Sequence, residues 1–242
     1  LQYYTIQSCR FLPKTITSAN FFYNEKLMKK KKKSLLRWYN WRKNIYLKGE
    51  TMAKQFWKGS ALLAPVPAVL VTCGTEEKPN VLTIGWTGIC CTKPPMTYIS
   101  VRPERFSHDI IMESGEFVIN LTTSAMVKQT DFCGVKSGRD VNKIEVCGFH
   151  TVPSQKLNVP LIEECPVSLE RKVTESKLLG SHTMFLAEIV GIDVDEKYID
   201  SKDKLNLQQC GLAAYAHGEY FAVGRKLGDF GFSVRKKKKH RK

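Results

Sequence analysis

NVLTIGWTGICCTKPPMTYISVRPERFS, residues 80–107, is the stretch whose reading decides the fold. Its opening VLTIG is a β-strand candidate, because branched and apolar side chains suit a pleated, half-buried surface. The small residues that follow, Gly85, Thr87, Gly88, Cys90 and Cys91, predict a loop where a ligand can approach the backbone closely. Pro94 and Pro95 end that loop, and MTYISV, residues 96–101, starts a second strand. The far end of this strand delivers Arg102, Arg105 and Ser107 together at the start of a helical segment, SHDIIMES. Two guanidinium groups, a hydroxyl and unpaired helical N–H groups make a seat for a phosphate. The stretch therefore predicts a pocket for a phosphorylated flat ring.

Working outward, PAVLVTCG (67–74) is a strand, and TEEKPN (75–80) is the polar turn that brings it back antiparallel to VLTIG. GEFVINL (115–121) adds another strand, and Ser124 is placed to cap a helix over AMVKQTDFCG that Gly134 closes. Residues 137–165 are rich in loop signals. CPVSLERKV (165–173) and HTMFLAEIVGIDVD (182–195) form a hairpin pair. Many short strands, few helices and no βαβ alternation predict a mainly β fold with peripheral helices, built on a closed or partly open antiparallel barrel. No GxGxxG opens a helix, which excludes a Rossmann nucleotide domain, and GxSxG, HExxH and P-loop signatures are absent from the sequence.

The chain has 242 residues, 43% of them hydrophobic, enough for one domain with a sizeable core. Its formal charge of +15 would suggest nucleic acid or an anionic surface as a partner. The distribution argues otherwise: residues 1–51 carry 12 basic and 2 acidic residues, 235–242 carry 7 basic ones, and 52–234 hold 19 basic against 21 acidic. A basic nucleic-acid-binding module would have to work through the two ends alone. Lys48-Gly49-Glu50 can be encoded by a ribosome-binding-like stretch just ahead of Met52, so residues 1–51 are expected to be a non-native or disordered basic extension. Residues 235–242 are expected to be a disordered tail. The eight cysteines show no disulfide framework and are read as reduced thiols of a cytoplasmic protein. Cys147 and His150 have a ligand-like interval but no companion pair, so no metal site is assigned. No apolar run reaches the roughly 20 residues of a membrane span.

Four ordered blocks, residues 80–107, SGRDVNK (137–143), LGSHTMFLAEI (179–189) and GEYFAVGRKLGDFGFS (218–233), resemble the flavin reductase-like family, and within it the flavoredoxin type. The resemblance spans about residues 52–234. It implies an FMN-binding split β-barrel, a homodimer, and non-covalent FMN with NADH or NADPH as the electron donor. A flavoredoxin-like electron carrier reduced by a redox protein partner is the alternative that the same resemblance allows. The resemblance places Asn80, Trp86 and the backbone around Cys90 and Cys91 against the flavin, and His182 in positioning it. From the residues themselves, Asn80 and Thr83 suit the hydrogen-bonding edge of the ring. Arg102, Arg105 and Ser107 suit the phosphate, with Ser100 lining the approach. Lys143 adds charge from another loop, with Lys136 and Arg139 as substitutes. Tyr215, ahead of Phe230, is expected to cover the ring or shape the nicotinamide slot. No catalytic residue is assigned beyond His182 as a candidate, because a flavin does the redox chemistry itself.

Overall fold

A computed structural model describes residues 54–235. The expectations for residues 1–51, for Met52 and for the tail beyond Arg235 lie outside the described residues. Two units are distinguished, Leu1–Ser60 and Ala61–Lys242. Of the first, residues 54–60 carry no regular element. Among the described residues no helix is long and apolar enough to cross a membrane.

The second unit is built on one antiparallel sheet. Its strands are β2 (Val69–Gly74), β3 (Pro79–Ile84), β4 (Thr87–Thr92), β5 (Pro95–Val101), β6 (Glu116–Leu121), β9 (Val167–Leu178) and β10 (Thr183–Val194). They lie in the order β3-β2-β6-β9-β10-β5-β4. Strands β3 and β4 are thus the two edges of the sheet, yet only Gly85 and Trp86 separate them in sequence. Three Cα steps reach about 11 Å at most, so the sheet has to roll until its edges nearly meet. At the crossing, the Ser100 N–H donates to the Trp86 carbonyl at 2.9 Å, which carries the β4–β5 ladder one pair further. The result is the split barrel, closed over most of its girth and open at one line.

Alternation along the strands sets what each face buries. In β2, Val69, Val71 and Cys73 face the barrel interior with Phe117, Ile119, Ile99 and Phe185, while Leu70 faces outward against Met126, Cys133 and Ile144. Both faces of β2 are covered, which is why its sequence reads as a continuous apolar run; each such side chain contributes about 1.5–3 kcal/mol by leaving water. The outer cover is α1 (Phe106–Ser114), α2 (Val127–Val135) and the short α3 (Lys143–Cys147). A separate sheet joins β1 (Val66–Pro67) to the hairpin of β11 (Ala213–Ala216) and β12 (Glu219–Ala222), and β7 (Thr151–Val152) pairs with β8 (Leu161–Ile162).

Two sequence expectations are corrected. Residues 87–92 are not a loop but the edge strand β4, bulged between Ile89 and Cys91. Pairing with β5 overrides the turn-like composition there. Ser124 does not cap a long helix: it opens the 3-10 turn Ser124–Met126, its hydroxyl donates to the Gly211 carbonyl at 3.1 Å, and Gly134 lies inside α2 rather than beyond its end.

Candidate functional site

The seam opens into a cleft of about 390 Å³. Its floor comes from the end of β3, with Thr83 and Ile84, and from Gly85 and Trp86 of the crossing. The end of β5 adds Ser100 and Val101, and the turn into α1 adds Arg102 and Arg105. On the far side stand Asp131, Gly134 and Val135 of α2, and the β11–β12 hairpin contributes Tyr215, Gly218 and Tyr220.

Arg105 is the N-cap residue of α1, in extended conformation and without a side-chain cap for the helix amides. The first-turn N–H groups of a helix have no partner within it, so α1 presents donors beside the two guanidinium groups. Among the described residues no carboxylate lies within ion-pair distance of Arg102 or Arg105. Both side chains are exposed. Strand β5 and helix α1 are rigid elements, and the Arg105 N–H donates to the Arg102 carbonyl at 3.0 Å, so the turn that carries the pair is itself fixed.

His182 enters the same cleft at the start of β10. Burial and the Arg102 guanidinium hold its imidazole below the ordinary value, with Glu104 working against them. It is neutral at pH 7, and its Nδ1 sits 2.9 Å from the Ser181 hydroxyl. The Tyr215 and Tyr220 rings meet edge to face at 5.4 Å. The Tyr220 hydroxyl donates to Asp131 Oδ1 at 3.2 Å, and burial together with that carboxylate pushes its phenol up to about 12. Trp86 is 45% exposed at the cleft mouth. The Thr83 hydroxyl donates to the Thr130 carbonyl, so its oxygen is left as an acceptor.

Eight of the residues singled out by sequence therefore line one cleft: Thr83, Gly85, Trp86, Ser100, Arg102, Arg105, His182 and Tyr215. The others lie elsewhere. Asn80 and Ser107 are buried behind the start of α1, bonded to each other at 2.6 Å. Lys143 is also buried, and its ammonium donates to the Cys133 and Lys136 carbonyls at 3.2 and 3.3 Å, closing the C-terminal end of α2. Asn80 and Lys143 line a second hollow, of about 530 Å³, on the other side of Phe106. Arg139 lies there too, its guanidinium over the Phe106 ring at 5.4 Å and bonded to the Glu104 carbonyl at 2.9 Å. Cys90 and Cys91 lie on β4 outside the cleft lining, Cys90 exposed and the Cys91 thiol 3.4 Å from the Lys93 carbonyl. Phe230 is fully exposed and apart from the cleft.

Asp131 and Tyr220 were not legible as site residues. Tyr220 had one available signal: in AYAHGEYF a two-residue His217-Gly218 turn, both residues at positive φ, pairs Tyr215 with Tyr220 across a hairpin. Asp131 had none, since only the tertiary fold turns that face of α2 to the seam.

Rolled sheet, open seam and uncapped helix start define the split-barrel class of flavin proteins, and comparison with known proteins agrees. Residues 62–224 match the flavin reductase like domain, and the chain belongs to that family. Within it the chain is of the flavoredoxin type. The flavoredoxin of Desulfovibrio vulgaris (Miyazaki F) is 28% identical, with a TM-score of 0.70 over 75% of this chain and 100% of that one. An FMN-binding protein from Thermus thermophilus shares the fold at 21% identity and a TM-score of 0.63, covering 73% of this chain and 99% of the other. An uncharacterized protein of Archaeoglobus fulgidus is 33% identical over 144 residues, 60% of this chain and 81% of its own.

Proposed function

We propose that the seam cleft binds FMN non-covalently and that the protein is an NAD(P)H-dependent flavin reductase. The observation that carries this is the pair Arg102 and Arg105, without carboxylate partners, at an uncapped helix start on the rim of a cleft walled by Trp86 and Tyr215. Phosphate needs several donors at once, and this is where the fold gathers them. The cleft volume lies within the range of small-molecule sites.

In this reading Arg102, Arg105 and the first amides of α1 hold the 5′-phosphate. Trp86 and Tyr215 flank the ring, and Thr83 and Ser100 offer hydroxyl groups along the way. His182, neutral beside Arg102, orients the cofactor by hydrogen bonding and adds no further positive charge. FMN held by these residues would supply the redox chemistry between a nicotinamide donor and an acceptor. A homodimer belongs to the same reading, supported by Ile89 of the edge strand β4, 67% exposed.

A flavoredoxin-like carrier, reduced by a protein partner instead of a nicotinamide, is favoured by the 28% identity to the Desulfovibrio flavoredoxin. Purified protein loaded with FMN and mixed anaerobically with NADH and then NADPH separates the two. Bleaching of the flavin absorbance within seconds is expected for the reductase. An unchanged spectrum that bleaches only with a reduced redox protein assigns the carrier, and failure of FMN to bind overturns both.

A further inference from the structure

Behind the cleft, helices α2 and α3 bring two thiols together, with the Cys133 sulfur 3.7 Å from the Cys147 sulfur. Cys133 is buried in the outer core with Leu70, Val81 and Ile144, while Cys147, the last residue of α3, is half-buried and within reach of small solutes. Among the described residues no other two thiols come within hydrogen-bonding distance. Cys90 and Cys91 are chain neighbours and poor partners for each other. Cys73, Cys165 and Cys210 are buried, and Cys165 packs in the same outer core as Cys133 and Cys147.

We propose that Cys133 and Cys147 form a reversible disulfide, so that the α2–α3 junction is a redox-modification site oxidised by hydrogen peroxide. A disulfide needs about 2.05 Å between the sulfurs, so one of them has to move by less than about 2 Å. The movement falls on α3, which has five residues and ends at Gly148 in a left-handed turn, and leaves the sheet alone. Burial and the neighbouring thiol push Cys133 up to about 12, so it is the poorer first nucleophile.

The order of events follows from that asymmetry. The Cys147 thiolate attacks one peroxide oxygen; an S–O bond forms, the O–O bond breaks, and the departing hydroxide takes up a proton as water. Cys133 then attacks the Cys147 sulfur; the S–S bond forms, the S–O bond breaks, and hydroxide leaves with the Cys133 proton as a second water. Two thiols lose two electrons and one peroxide gains them. The staple would join the helix end whose carbonyl, that of Cys133, holds the Lys143 ammonium. It lies one residue from Gly134 in the cleft wall.

The test is direct. Full-length protein is treated with hydrogen peroxide, unreacted thiols are blocked with N-ethylmaleimide in denaturant, and the non-reduced tryptic digest is read by mass spectrometry. Peptide 129–136 joined to peptide 144–156 is expected, lost on dithiothreitol treatment, retained in a Cys90→Ser/Cys91→Ser variant and absent from Cys147→Ser. Full blocking of both peptides at a dose that oxidises the exposed Cys90 overturns the proposal, as does a cross-link from Cys147 to any thiol other than Cys133. Cys133→Ala, read by whether Cys147 then accumulates as a sulfenic acid trapped by dimedone, checks the order of events independently. Its absence there would refute that order.

Discussion

Replacing Gly138 with alanine tests how the start of α1 is held. The backbone at Gly138 needs no left-handed conformation, so any cost comes from the added methyl alone. An ideal Cβ there stands 2.2 Å from Asn80 Oδ1 and 2.7 Å from Phe106 Cδ1, well inside contact distance. Neither neighbour can swing away cheaply. Asn80 is buried and donates to the Ser107 hydroxyl at 2.6 Å, and the Phe106 ring is covered by the Arg139 guanidinium at 5.4 Å. Overpacking of this kind costs about 1–3 kcal/mol, and a buried hydrogen bond forced apart adds about 1 kcal/mol or more. Gly138→Ala should therefore lose about 2–4 kcal/mol, which is roughly 5–15 °C of melting midpoint for a protein of this size. Gly134→Ala is the control. Its Cβ meets only Thr83 Cβ, at 3.3 Å, and alanine gains about 0.5–1 kcal/mol in a helix, so it should stay within about 1 kcal/mol of the parent. Urea unfolding of the three proteins decides the matter. A Gly138→Ala midpoint indistinguishable from the parent, or a Gly134→Ala variant that is the weaker of the two, would refute the reasoning.

Arg102→Ala combined with Arg105→Ala is expected to weaken FMN binding by about 2–5 kcal/mol, the scale for losing charge-assisted hydrogen bonds, and calorimetric titration with FMN reads it. Burial first, and then the neighbouring Glu170, raise the Asp193 carboxyl above its ordinary 3.8. The fold therefore favours the protonated acid, and that advantage is complete below pH 3.8 and lost as pH rises through the raised value. The stability of Asp193→Asn relative to the parent should accordingly climb across that window, and a flat difference in urea midpoints would contradict the assignment. Arg171 is fully buried, its Nε has no partner, its Nη1 reaches only the Glu170 carbonyl at 3.2 Å, and burial lowers its guanidinium to about 9. Arg171→Met is expected to fold and to be as stable as the parent or more so, by up to about 4 kcal/mol, and a loss of stability in denaturant would show that the cation contributes to the core.

The hairpins were legible because their signals are local. PAVLVTCG and VLTIG pair as β2 and β3 around a polar turn, and residues 165–173 and 182–195 pair as β9 and β10, with β9 running on to Leu178. Strand β4 was not legible, since Gly88 and the two cysteines speak for a loop. Only the fold shows that Gly88 sits where the Tyr98 ring comes within 3.2 Å of a would-be Cβ, a close packing contact inside a paired strand. The arginines at the start of α1 could be placed because a strand end, a turn and a helix start follow one another without interruption. Lys143 could not: its charge suggests an anion, but the path of residues 136–143 turns its ammonium onto the last carbonyls of α2. Its burial lowers the ammonium below the ordinary value, as expected for a cation held by carbonyl dipoles alone. Asp131, placed in the cleft by chain-distant packing that sets it beside Tyr220, carries no mark in the sequence.

The position of the cleft follows from the strand order. A sheet whose first and last strands are joined by two residues cannot close there with a regular ladder, because the chain must cross from one edge to the other. Among the described residues no ladder joins β3 to β4, while each neighbouring pair in the sheet order is held by one. The seam is thus a line along which strand pairing is already absent, and the cleft lined by Thr83, Trp86 and Ser100 opens beside it. Arg102 and Arg105 stand at the rim of that cleft, just after a strand end and at a helix start, elements rigid enough to fix where the two guanidinium groups begin. On the proposed reading, the ligand fills what the sheet does not close, and the charge that retains it is set by the strand end and helix start beside the opening.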